Sequence, residues 1–144
     1  MLISRALLDE LIAHARDEAP NECCGVVAVG GSTADGGARA TQVLRTVNVA
    51  ASPLRFEVDG KELLAAMDHI ERGGGELGAI YHSHTRSAPY PSQTDINFAV
   101  NWPGVEWIIV GLAGGEQPEV RSFLIESGQV REVGLHDDPD AGGQ

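Results

Sequence analysis

"ELGAIYHSHTRSAPYPSQTDINFAV" (residues 76–100) is the stretch whose reading decides the rest. Its opening "ELGAIYHSH" reads as a strand, and "SQTDINFAVNW" reads as a short helix that starts at Ser92. Along a strand the side chains alternate faces, so His82 and His84 share one face and Ser83 takes the other. Two imidazoles about 6–7 Å apart along the backbone can converge on one ion. Pro89 and Pro91 stiffen the connection, and Asp95 lies one turn into the helix, from where it can reach back to the strand end. Two neutral nitrogens and one carboxylate leave an ion with an open position, which is how a catalytic zinc is held. Ser92 and Asp95 also have the spacing of a capping-box variant, in which Asp95 serves only the helix N-terminus.

Working outward, residues 4–18 carry Leu7, Leu8, Leu11, Ile12 and Ala15 at helical spacing, with Ser4 as the cap. "CCGVVAVGG" (23–31) reads as a buried strand, "STADGGAR" (32–39) as a turn and "TQVLRTVNV" (41–49) as the second arm of a hairpin. "PLRFEV" (53–58) is a short extended piece. A second helix follows Asp59, with Leu63, Leu64, Met67 and Ile70 on one face, and Gly73 to Gly75 end it. "VEWIIVGL", "EVRSFLIE" and "GQVREVGL" predict three closing strands. The strands come in adjacent pairs and do not strictly alternate with helices, so the fold class is α/β with a mixed or antiparallel sheet.

The 144 residues suit one domain. We expect that domain over 1–135, followed by a disordered acidic tail, "HDDPDAGGQ" (136–144). The tail holds Gly142-Gly143, a ubiquitin-like end in miniature. A net charge of −11 without a Lys/Arg cluster argues against a nucleic-acid partner. There is no apolar run long enough for a membrane helix, and the first 18 residues mix charges into their apolar positions, unlike a secretory signal. The expected compartment is the cytoplasm, where the adjacent Cys23 and Cys24 are reduced, small core residues. His14, His69 and His136 are expected to be solvent-exposed.

Hydrolysis at such an ion needs a further acid to take a proton from water and pass it to the leaving amine. Glu22, just before the strand 23–31, is the candidate if that strand neighbours 77–84.

A glutamate in "PNECCG", then "HSH", seven residues, Ser, two residues and Asp resembles the motif of the JAMM (MPN-type) zinc metallopeptidases. The resemblance covers most of the chain. It implies a cytidine-deaminase-like fold, a curved mixed β-sheet flanked by helices with the metal at its edge. It implies Zn2+ bound by His82, His84 and Asp95, with Glu22 as general acid/base. Ser92 would hydrogen-bond the water or the developing oxyanion. The small free-standing bacterial members are nearest in length. They imply hydrolysis of the amide after the C-terminal Gly-Gly of a ubiquitin-like sulfur-carrier protein, with release of cysteine or of a short extension. The partner is then that carrier's tail, Arg86 and Tyr90 are candidate tail contacts, and a homodimer is admitted. Two other readings stay open: a non-haem iron oxygenase built on the same two-His, one-carboxylate set, and a metal-free MPN-type scaffold for protein contacts.

Overall fold

The structure is a computed structural model that describes residues 1–32 and 38–138, with the side chains of 31 and 32 not described. Most of the turn expected over 32–39, and the Gly142-Gly143 end, lie outside the described residues.

Among the described residues eight strands and three helices follow in the order β1 (Leu2–Ile3), α1 (Arg5–Glu18), β2 (Cys24–Ser32), β3 (Ala38–Thr46), α2 (Gly60–Arg72), β4 (Glu76–His84), α3 (Gln93–Ala99), β5 (Glu106–Gly111), β6 (Glu119–Glu126), β7 (Gln129–Val133) and β8 (His136–Asp137). The strands form one curled mixed sheet in the order β7-β6-β5-β4-β2-β3-β1-β8. β4 sits inside it, antiparallel to β2 and parallel to β5. The parallel pair needs a crossover, and α3 lies in that connection.

Both faces of the central strands are covered, which explains their near-continuous apolar runs. Val27, Ala79, Tyr81, Ile108 and Val110 face α1, where they pack with Leu11, Ile12 and Ala15. Val26, Ile80, Trp107, Ile109 and Phe123 face the other way, with Ile70 of α2 and Ala99 of α3. Each such side chain, fully removed from water, contributes about 1.5–3 kcal/mol. The period of two therefore sends His82 and His84 to the α2/α3 face and Ser83 to the α1 face, where its Oγ accepts the Cys23 N–H at 2.8 Å.

The helix starts follow their caps. Ser4 accepts from the Leu7 N–H, and Asp59 accepts from the Glu62 N–H. On α2 the buried stripe differs from the expected one. Leu64 is exposed, and Leu63, Ala66 and Ile70 pack inward. Residues 53–58 form no strand; Val58 makes only a single bridge to Asn48. The sheet also continues past residue 135, because His136 and Asp137 pair with Leu2 and Ile3, and Asp138 is buried.

His14 is not exposed as expected. It is buried under the sheet, with Nδ1 2.6 Å from the Tyr81 hydroxyl. A neutral imidazole accepts a hydrogen bond from the phenol O–H there. The Tyr81 ring lies where a Cβ on Gly25 would be, at 2.4 Å from such an atom, so glycine is required at that point in "CCG". His69 and His136 are exposed, as expected.

Burial, with the Arg45 charge adding to it, pushes the His14 pKa down to about 4. The neutral form therefore stabilises the fold fully above about pH 6.5, and that contribution is lost as pH falls towards 4. Chemical denaturation across this window should show His14 contributing about 2–3 kcal/mol. A His14→Gln variant should lose correspondingly less stability between pH 6.5 and 4; parallel slopes for the two proteins would contradict the assignment.

Candidate metal centre

The last turn of β4 and the first turn of α3 build the site. His82 Nε2 lies 3.1 Å from His84 Nε2 and 3.1 Å from Asp95 Oδ2, and His84 Nε2 lies 3.5 Å from the same oxygen. All three residues are buried. Ligands at zinc distances of about 2.0–2.2 Å, placed at tetrahedral angles, stand about 3.3 Å from one another. The three separations bracket that edge length, so the donor set fits a small divalent ion and leaves one position open.

Different neighbours hold each ligand. His84 Nδ1 donates to the Ala88 carbonyl at 2.8 Å, which leaves Nε2 to face the cluster. That carbonyl is set by Pro89, whose ring packs on β5 so closely that a Cβ on Gly111 would lie 2.9 Å from it. His82 Nδ1 has no hydrogen-bond partner among the described residues. Its ring is fixed by stacking on Phe56, with centroids 4.5 Å apart, and by the edge contact with Trp107. Asp95 Oδ2 accepts the Ser92 N–H at 2.9 Å, and Ser92 Oγ accepts the Asp95 N–H at 3.1 Å. The capping box and the ligand cluster are therefore the same residues, and the cap aims the carboxylate.

The charges are arranged around Asp95. Burial alone would raise its carboxyl, but the facing His82, the close contacts of both imidazoles and the bond from the Ser92 N–H hold it well below the usual carboxylate range. Burial keeps His82 below the ordinary histidine value. Burial also works against His84, yet its bonds to Asp95 and the Ala88 carbonyl carry it above that value.

Glu22 reaches the same place through the sheet. β2 and β4 pair with Cys24 opposite His82, so Glu22, two residues before β2, arrives beside His84. Glu22 is buried and borders a cavity of about 30 Å3 with Ser92, Asp95 and Phe98. A space of that size admits a water-sized group. Burial pushes the Glu22 carboxyl up to about 7, with His84 lowering it and Asp95 raising it. A carboxyl poised there can both accept and return a proton near neutral pH.

The three expected ligands thus lie together, with Glu22 and Ser92 beside Asp95. Arg86 and Tyr90 lie outside this cavity, exposed on the 85–91 loop, and Tyr90 packs edge-on against Phe123. Cys23 and Cys24 are buried and unpaired, and burial pushes both thiols up, to about 12 and about 11. They are protonated near neutral pH, which does not suit a nucleophile.

Two residues escaped the sequence reading. Phe56 roofs His82, and Asn48 holds that roof in place. The buried Asn48 amide donates to the Glu22 carbonyl at 3.0 Å and to the Arg55 carbonyl at 3.1 Å, and its oxygen accepts from the Ala50 and Glu57 N–H groups. Both donors and both acceptor sites are used. A signal was present: Asn two residues before Ala50, in "VNVAASP", is an Asx-turn pattern.

Residues 4–126 match the family model described as prokaryotic homologs of the JAB domain. The chain is 33% identical over 133 residues to the CysO-cysteine peptidase of Mycobacterium tuberculosis, a match spanning 92% of this chain and 88% of that one. It is 38% identical over 130 residues to a probable TtuB-protein conjugate cleaving protease of Thermus thermophilus, spanning 90% and 78% of the two chains. A solution structure of a Desulfitobacterium hafniense protein superposes with a TM-score of 0.81 at 29% identity, covering 95% of this chain and 92% of that one.

Asn48→Ala would leave two carbonyls and two N–H groups without their side-chain partner. Denaturant titration should show a loss of about 2–3 kcal/mol. Hydrogen exchange at the Ala50 and Glu57 amides should quicken before that of the central strands. Unchanged exchange at both amides would show that the side chain does not hold this segment.

Proposed function

The chain belongs to the family of prokaryotic homologs of the JAB domain, and from that membership we propose that it is a zinc-dependent peptidase. Its proposed substrate is a ubiquitin-like sulfur-carrier protein, cut at the amide after the C-terminal Gly-Gly, with release of cysteine or a short extension. The observation that carries this reading is the convergence of His82, His84 and Asp95 at ligand separations, with Glu22 bordering the same cavity as Asp95. The names of the mycobacterial and Thermus relatives support the substrate class, since both refer to adducts or conjugates of a protein.

In this reading His82, His84 and Asp95 hold the ion, and their nitrogen and oxygen donors suit zinc. Bound zinc supplies Lewis-acid polarisation of the substrate carbonyl and of water. Glu22 takes the proton of the attacking water on a carboxylate oxygen and returns it to the leaving amine nitrogen as the C–N bond breaks. Ser92 Oγ already accepts the Asp95 N–H, and its own proton is directed to the developing oxyanion. A Gly-Gly tail suits a confined approach, because glycine lets two backbones come close.

Among the described residues no helix is long and apolar enough to cross a membrane. The two unpaired thiols support a cytoplasmic place of action. The oxygenase reading uses the same three ligands but gives Glu22 no task, and a non-binding scaffold would not need three buried ligands aimed at one point.

Intact-mass analysis of a Gly-Gly-Cys carrier incubated with the protein tests the proposal, and loss of the terminal cysteine is the expected result. Glu22→Gln should keep its metal while turnover falls by about 10²–10⁴-fold. Undiminished turnover in that variant would remove Glu22 from the mechanism.

A further inference from the structure

Cleavage between glycine and a terminal cysteine has a consequence for charge. The leaving amine carries its own α-carboxylate, with oxygens about 3 Å from the scissile nitrogen. Glu22 must reach that nitrogen, so the carboxylate comes up against the space that Glu22 and Asp95 border. The ion that Asp95 would hold offsets that charge, but Glu22 still repels the incoming carboxylate unless a second cation stands there. An isopeptide-linked lysine differs, because its leaving ε-amine is followed by methylenes and brings no charge to that point.

Among the described residues, Arg55 is the one cationic side chain that lines this cavity. Its backbone carbonyl and that of Glu22 are held by the same Asn48 amide, so the acid/base and the cation start from one fixed point. The Arg55 side chain is more than half exposed, and its ion pair with Glu57 is long, at 3.6 Å. Exposed pairs of that kind are weak, so exchanging Glu57 for an incoming carboxylate is inexpensive. The guanidinium offers that carboxylate two parallel N–H donors.

We propose that Arg55 binds the free α-carboxylate of the leaving residue and so selects C-terminal adducts over isopeptide conjugates. This rests on the peptidase reading above and names the recognition element of its leaving-group side.

The test uses a ubiquitin-like carrier protein ending in Gly-Gly, ligated to cysteine or to cysteinamide, with the full-length zinc-loaded protein. Wild type should cleave the free acid with about tenfold to hundredfold higher kcat/KM than the amide. In Arg55→Ala that ratio should fall towards one, through a higher KM for the free acid, and Arg55→Lys should restore part of it. Calorimetry with Glu22→Gln as an uncleaving host should show the same preference in Kd, lost on adding Arg55→Ala. Cleavage of both forms by wild type without preference overturns the inference and leaves the peptidase reading intact. So does a preference that survives Arg55→Ala and disappears in Arg86→Ala. Cleavage of neither form overturns the peptidase reading and the inference together.

Discussion

The pairing of Cys24 with His82 decides which face of the sheet carries the histidines, and which loop carries Glu22 to them. A slip of one residue between β2 and β4 would send both imidazoles under α1 and leave Ser83 facing α3. The register is fixed from both sides of the sheet. On the α1 side, the Tyr81 ring fits only over Gly25, and its hydroxyl meets His14. On the other side, Ile80 and Trp107 pack beneath α2 and α3. The chemistry at the end of β4 is thus held by apolar packing two to three residues further back.

Beyond the strand end the chain relies on polar contacts that cross long sequence distances. Asn48 ties the Glu22 backbone to residues 50–57, and that segment lays Phe56 on His82. The 85–91 loop is pinned by Pro89 against Gly111 and returns the Ala88 carbonyl to His84. These contacts leave each ligand little freedom to reorient, which is what a small ion with short bonds requires.

Much of this was legible in the sequence, for identifiable reasons. β4 and α3 could be placed because the period changes from two to 3.6 across the proline-containing loop, and Ser92 and Asp95 mark the helix start by their spacing. The convergence of His82, His84 and Asp95 followed from alternation and one helical turn. Other features left no local trace. β1 and β8 are two residues each, too short to show a period. His14 looked like one more polar residue on a helix; its burial depends on Tyr81, 67 positions away. The exposure of Leu64 and the burial of Ala66 reflect where α2 sits on the sheet, which its own apolar stripe does not determine. Arg55 gains its place only from the Asn48 contact and the cavity beside Glu22.

Every role proposed for the site requires that His82, His84 and Asp95 hold a metal. The most direct measurement is elemental analysis of protein purified without a histidine tag or added metal, beside a His82→Ala/His84→Ala double variant. About one zinc per chain is expected in the first and none in the second. Absence of metal from the wild type even after zinc is supplied, or equal content in both proteins, would contradict that assignment.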